Sequence, residues 1–217
     1  MSGMLQNVPL FAGLSAEGVR VLCAIARTRQ YPKNATVISE GEDSDSLYIV
    51  NKGRVKVTLG DADGKEVIIS LLGAGEYFGE LALIDDECRS ARVITAEPSE
   101  FFVISKPDFR GLLAQHPDLA MNLLKGLARR LRAADQKIGS LALMDVYRRV
   151  TSYLRDNAVA EDGQLVVNER LTQTDIAHMV GASREMVSRI FNALTEGGYI
   201  AVEGKKIRLL KKLPASW

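Results

Sequence analysis

Hydrophobic periodicity changes twice along this chain, and each change marks a different kind of structure. Leu14, Val19, Leu22, Ile25 and Ala26 recur at helical spacing, with Ser15 placed as N-cap. From Tyr31 to about Ser105 the pattern becomes short extended runs at 36–38, 46–50, 54–59, 67–71 and 101–104. Turn signals bound them: Glu40-Gly41, Lys52-Gly53, Asp63-Gly64 and Gly73-Ala74-Gly75. Asp63-Gly64 lies between two alternating runs and predicts a hairpin. Many short strands in succession predict a β-roll or barrel.

The strands then stop. From Pro117 to about Asp145 no further proline occurs, and Gly126 and Gly139 are the only glycines. Ala120, Leu124, Leu127, Leu131, Ala134, Ile138 and Leu141 fall at alternating steps of four and three, with Arg129, Arg130, Arg132 and Lys137 on the flanks. Such a seam predicts a long helix pairing with a second copy as a parallel coiled coil. The alternative is a helix packed on its own barrel.

The last third is helical again and ends in strands. Thr172 is a good N-cap, Gly181 supplies a tight turn, and Ser183 caps a second helix running to about Glu196. Residues 197–209 then alternate as a hairpin with Lys205 and Lys206 near its tip. Helix, turn, helix and hairpin in this order predict a winged helix. The fold class is α+β, divided as a β-roll sensor (1–115), a dimerisation helix (116–144) and a DNA-binding domain (145–217).

Composition narrows the function classes. The chain has 217 residues, is 47% hydrophobic and carries a net charge of +1. No apolar run reaches the ~18 residues needed to cross a bilayer, and Met1-Ser2-Gly3-Met4 does not open a secretory signal. Cys23 and Cys88 fit no metal-ligand spacing, so no metal site and a thiol-reduced, cytoplasmic setting are expected. From Met144 onward there are 11 Lys/Arg against 9 Asp/Glu, and from Arg184 onward 7 against 3. That local basic excess suits docking on double-stranded DNA.

Two constellations carry candidate chemistry. Gly79-Glu80-Leu81-Ala82 is followed after an acidic loop by Arg89-Ser90-Ala91. An arginine fork can hold a phosphate through two bonds, a glutamate can accept from a ribose hydroxyl, and amides at a glycine turn suit an anion. The alternative is that Glu80 and Arg89 form a structural ion pair. Asp85, Asp86 and Glu87 would repel an anion and should point outward. The second constellation is Arg184, Glu185, Ser188 and Arg189, on the first two turns of the second helix of the motif. Arginine reads guanine and glutamate accepts from cytosine, while Met186, Val187, Ile190 and Leu194 are expected to face the domain. Together the two constellations predict a ligand-gated transcription regulator. No catalytic residues are expected, because nothing near Arg89 offers a metal cluster or general base.

With these pieces in this order the chain resembles the CRP/FNR family of bacterial transcription regulators. The likeness runs from Pro9-Leu10-Phe11-Ala12-Gly13-Leu14 through Ile38-Ser39-Glu40-Gly41-Glu42 and 75–82 to Gly181-Ala182-Ser183-Arg184-Glu185 and the wing. It implies an effector-binding β-roll, a dimerising helix with Leu124, Leu127, Leu131, Ala134, Ile138 and Leu141 at the interface, and DNA binding by the C-terminal domain. It further implies that Gly79 and Glu80 contact the ribose and phosphate, while Arg89 and Ser90 grip the cyclic phosphate beside Leu81 and Ala82. Arg184, Glu185 and Arg189 would contact bases of a TGTGA-like palindrome with half-sites ~10 bp apart. Thr172, Ser183, Lys205 and Lys206 are candidates for phosphate contacts. Ser188 departs from the glycine of the family's cyclic-AMP-binding members. RNA polymerase is the implied protein partner, though 157–163, where the family often touches it, carries no specific signal.

The effector base stays open. In the family's cyclic-AMP-binding members a Thr-Ser pair on the dimer helix reaches adenine, and here Ala134 and Asp135 take those places. Ala134 cannot hydrogen-bond, and an ionised Asp135 only accepts. A guanine edge offers two adjacent donors and would pair with a carboxylate, which points to cGMP or cyclic di-GMP. Cyclic AMP is nevertheless the favoured effector, with Asp135 then paired to a helix neighbour such as Arg132. A constitutive, effector-free DNA binder is the third reading.

Overall fold

The computed structural model describes the whole chain except residues 1, 44, 162, 168–171, 205 and 215–217, and only the backbone of residue 2. It divides into two units, Met1–Arg132 and Ala133–Trp217.

Two four-stranded sheets form the first unit. One has the order β1 (Arg27–Tyr31), β8 (Ser99–Ser105), β3 (Ser46–Lys52), β6 (Tyr77–Phe78). The other runs β2 (Thr36–Ile38), β7 (Arg92–Thr95), β4 (Val55–Gly60), β5 (Glu66–Leu72). β3 and β8 are buried on both faces, which explains why they read as unbroken apolar runs. Tyr48, Val50, Phe101 and Val103 point between the sheets toward Ile38, Val55, Leu72 and Val93. Tyr48 stacks on Phe78 at 5.1 Å between centroids, and Phe101 meets both edge-on. Leu47, Ile49, Phe102 and Ile104 face the other way, into a core shared with the helices.

Those helices are α1 (Ser2–Gln6), α2 (Ala16–Ile25), α3 (Leu81–Ile84), α4 (Lys106–Gln115) and the start of α5 (Pro117–Leu143). The Ser15 hydroxyl caps α2 as expected, accepting from Gly18 N at 3.1 Å. The predicted hairpin joins β4 to β5. Asp61 Oδ1 accepts from the Asp63 and Lys65 amides at 3.0 and 2.8 Å, and Gly64 adopts φ +79°. β1, β6 and β7 have no apolar alternation long enough to show in the sequence. β1 is an almost fully exposed edge, held by pairing with β8 from Arg27↔Val103 to Tyr31↔Ser99.

The apolar residues of α5 are divided between the core of the β-roll and solvent. Leu119 and Leu123, which lie off the heptad positions, are buried against the β-roll, and Leu127 packs partly with them. Leu124, Leu131, Ile138 and Leu141 are instead 57, 64, 64 and 43% exposed, and Ala134 is exposed too.

In the second unit, α6 (Val146–Asp156), α7 (Gln173–Val180) and α8 (Arg184–Glu196) pack with a sheet of order β11-β12-β10-β9. These strands are Ile200–Glu203, Lys206–Leu209, Gln164–Val167 and Ala158–Glu161. The wing therefore forms as expected. Within 157–163, Ala158–Glu161 form a strand, because Val166 and Val167 of its partner strand are buried in the core and Gly163 turns the chain at φ +77°.

Candidate effector and DNA-binding sites

The Gly79 turn and the Arg89 loop converge. Gly79 adopts φ +83°, and a Cβ there would collide with Arg89 Nη1, so glycine is required both for conformation and for room. Arg89 donates from Nη1 to Gly79 O and from Nη2 to Ser46 O, both at 2.8 Å, and is 6% exposed. Its own backbone is fixed by Arg89 N donating to Glu42 O and Gly41 N donating to Arg89 O, each at 2.9 Å. The guanidinium carbon lies 6.0 Å over the Tyr48 ring. Among the described residues Arg89 makes no ion pair, and burial pulls its pKa below the ordinary arginine value.

Glu80 does not pair with Arg89. Its carboxylate, 2% exposed, accepts from Arg130 Nη1 at 2.5 Å. Arg130 Nη2 also donates to Tyr77 O, and its guanidinium lies 4.7 Å over the Tyr77 ring. Arg130 is thus the residue that the sequence reading left on the flank of the seam. The available signal was a buried glutamate in an apolar turn, which needs a counter-charge from somewhere.

Ala82 is buried, whereas Leu81 and Ser90 are exposed. α3 begins at Leu81, directly after the Gly79 turn, and the Leu83 amide donates to Glu80 O at 3.0 Å. The acidic loop faces solvent. Asp86 Oδ1 accepts from Lys106 at 2.6 Å and Arg110 at 2.8 Å, hydrogen bonds that hold its carboxyl down to about 2. Ala134 and Asp135 are exposed on α5, in the second unit. No group of three or more metal-ligating side chains occurs among the described residues.

The helix-turn-helix is built on strong local signals. Thr172 Oγ1 accepts from Asp175 N at 3.1 Å while Asp175 Oδ2 accepts from Thr172 N at 3.0 Å, a complete capping box. Gly181 ends α7 in the left-handed region at φ +64°, and Ser183 Oγ accepts from Met186 N at 3.2 Å to start α8. Val187, Ile190, Phe191 and Leu194 form the buried stripe. Met186 does not join it as expected. The stripe is centred between Ile190 and Phe191, which leaves Met186 on its flank and 42% exposed. Arg184, Glu185 and Arg189 are exposed on the outer face and Ser188 is half-buried. Lys206 donates to Glu161 at 2.6 Å, and Lys205 lies outside the described residues.

Comparison with known proteins places a matched domain family around each of the two regions. A cyclic nucleotide-binding domain family matches residues 28–116, and a Crp-like helix-turn-helix domain matches 148–213. A CRP-like cAMP-activated global transcriptional regulator of Mycobacterium tuberculosis is 32% identical over 211 residues, covering 95% of this chain and 94% of that protein. The cAMP-activated global transcriptional regulator CRP of Salmonella typhimurium is 37% identical over 182 residues, covering 82% and 87%. Among solved structures, the c-di-GMP responsive global regulator CLP of Xanthomonas campestris superposes with a TM-score of 0.78 at 26% identity, covering 91% of this chain and all of that one. No helix among the described residues is long and apolar enough to cross a membrane. On the strength of two matched domains in sequence and relatives that span nearly its whole length, the chain belongs to the CRP/FNR family of ligand-responsive, DNA-binding transcription regulators.

Proposed function

We propose that the chain is a cytoplasmic homodimer that binds a cyclic nucleotide, cyclic AMP in the first instance, and then reads a palindromic TGTGA-like operator beside RNA polymerase. The observation that carries the effector reading is Arg89. Burying a guanidinium is costly without a counter-charge, yet Arg89 is 6% exposed, and among the described residues its guanidinium has two carbonyls as hydrogen-bond acceptors and no carboxylate. A phosphate would supply the missing charge and accept from the donors those carbonyls leave unused. The dimer rests on Leu124, Leu131, Ile138 and Leu141, an apolar stripe left exposed on α5. Arg184, Glu185 and Arg189 are the residues offered to base edges, with Thr172, Ser183 and Lys206 toward the phosphates.

A guanine ligand is the second reading, and Asp135 favours it. A carboxylate at that position pairs with the two donors of guanine and repels the acceptor of adenine. The resemblance to a c-di-GMP responsive regulator points the same way. Calorimetric titration with cyclic AMP, cGMP and cyclic di-GMP tests both readings. Micromolar binding to one, lost in Arg89→Ala, supports the pocket and names the base. Asp135→Ser should move the preference toward adenine, and unchanged selectivity would rule out the guanine argument. If no nucleotide binds, and operator binding persists without one, the chain is an effector-free regulator.

A further inference from the structure

Tyr77 lies next to the effector turn, and its hydroxyl is the least satisfied group in that region. The side chain is 7% exposed. Among the described residues no hydrogen-bond partner reaches its buried Oη. An unpaired buried hydroxyl is costly, and natural proteins rarely keep one without a reason. The space it occupies exists because α5 has no side chain at that point. A Cβ on Gly126 would overlap Tyr77 Oη, while lying 3.4 Å from Cζ, an ordinary contact. Gly126 sits inside a 27-residue helix, where glycine is otherwise unfavourable.

The same ring is bound from above. Arg130, one helical turn after Gly126, lies 4.7 Å over the Tyr77 ring and donates to both Tyr77 O and Glu80. Tyr77, Gly126, Arg130 and Glu80 therefore join α5 to the turn that carries Gly79. Arg130 and Glu80 supply the attraction. The Tyr77 hydroxyl in the Gly126 notch sets where along the helix that attraction acts, and it does so at an unrepaid polar cost.

We propose that Tyr77 is a positioning residue, a register stop whose unpaired hydroxyl in the Gly126 notch keeps the α5-bound state shallow enough for the effector to displace. The switching half of this idea rests on the effector reading above, but the register stop does not. A helix position that admits only this seat cannot drift by fractions of a turn. An unsatisfied hydroxyl makes leaving the seat cheaper than it would be for a phenyl ring.

The test is a double-mutant cycle on the full chain with Tyr77→Phe, Gly126→Ala and both together, read by thermal unfolding and by hydrogen exchange over residues 117–132. Ligand-free, Gly126→Ala should lower the melting temperature by several degrees and deprotect this part of α5. Adding Tyr77→Phe should restore protection and bring melting above the wild type, because alanine is the better helix former once the clash is gone. Equal damage in Gly126→Ala and the double variant would overturn the register stop. Tyr77→Phe alone should raise the melting temperature and raise severalfold the nucleotide concentration needed for half-maximal operator binding. An unchanged midpoint in a protein that does bind nucleotide would overturn the switching role. If the wild type binds no nucleotide, the effector reading and the switching role fall together, while the ligand-free cycle still decides the stop.

Discussion

Glu80 accepts from Arg130 at 2.5 Å and leaves Arg89 without a carboxylate among the described residues. This pairing rules out the alternative in which Glu80 and Arg89 form a structural ion pair with each other. The buried glutamate is neutralised by the helix, and the buried arginine is held by two backbone carbonyls and the face of the Tyr48 ring.

Removing either half of the Glu80–Arg130 pair should not cost the same. Arg130→Met strands a carboxylate that is 2% exposed, whereas Arg130 itself is 38% exposed and can find water when Glu80 is lost. Breaking a buried pair costs about 3–5 kcal/mol, and partial exposure of Arg130 places this one at or below the low end. Urea unfolding should show Arg130→Met more destabilised than Glu80→Gln, and the double variant less destabilised than the sum. Additivity would mean that the two groups are not coupled.

Asp86 offers a pH test. Its carboxyl is held at about 2, against an ordinary 3.8, by hydrogen bonds from Lys106 and Arg110. A depressed folded pKa stabilises above the unfolded value and is lost as pH falls through the folded one. Asp86→Asn should therefore be less stable than wild type at pH 6, and the gap should close between about pH 4 and pH 2. Asparagine tolerates the left-handed backbone at this position, φ +64°, so the comparison is free of added strain. A gap that persists unchanged at low pH would assign the loss to something other than charge.

Charge placed on the exposed stripe of α5 should separate subunits without unfolding them. Leu131 and Ile138 are both 64% exposed, so Leu131→Glu and Ile138→Glu disturb no intrachain core. Sedimentation should report monomers at micromolar concentration, far-UV circular dichroism should be unchanged, and operator affinity should fall by two orders of magnitude or more as half-site pairing is lost. A dimer that survives both changes would place the interface elsewhere.

On the outer face of α8, Arg189→Ala should cost about 1–3 kcal/mol on the preferred operator and relax selectivity at one base pair. Lys206→Ala should weaken all sequences alike and lower the salt dependence by about one ion. Lys206 is engaged with Glu161, so its effect should be the smaller of the two. Electrophoretic mobility shifts across single-base operator variants and a salt series distinguish the two behaviours. A loss for Arg189→Ala that is uniform across sequences would remove it from base reading.

Local rules made much of this protein legible in its sequence. Ser15, Thr172 and Ser183 cap helices because hydroxyls satisfy first-turn amides wherever a helix begins. Gly79, Gly64 and Gly181 mark positive φ because few other residues adopt it cheaply. The change from period two to heptads to helix-turn-helix set the order of the elements. Tertiary structure decided what period and spacing cannot encode. β1 is a strand because β8 lends it hydrogen bonds, not because its own residues alternate. Leu119 and Leu123 went to the β-roll while Leu124 and Leu131 stayed outside, because a helix with two apolar stripes is divided only by what packs against it. Glu80 chose Arg130 over Arg89 for the same reason. Charges fifty residues apart in sequence meet only when a helix is laid across a turn, and desolvation then forces them to pair.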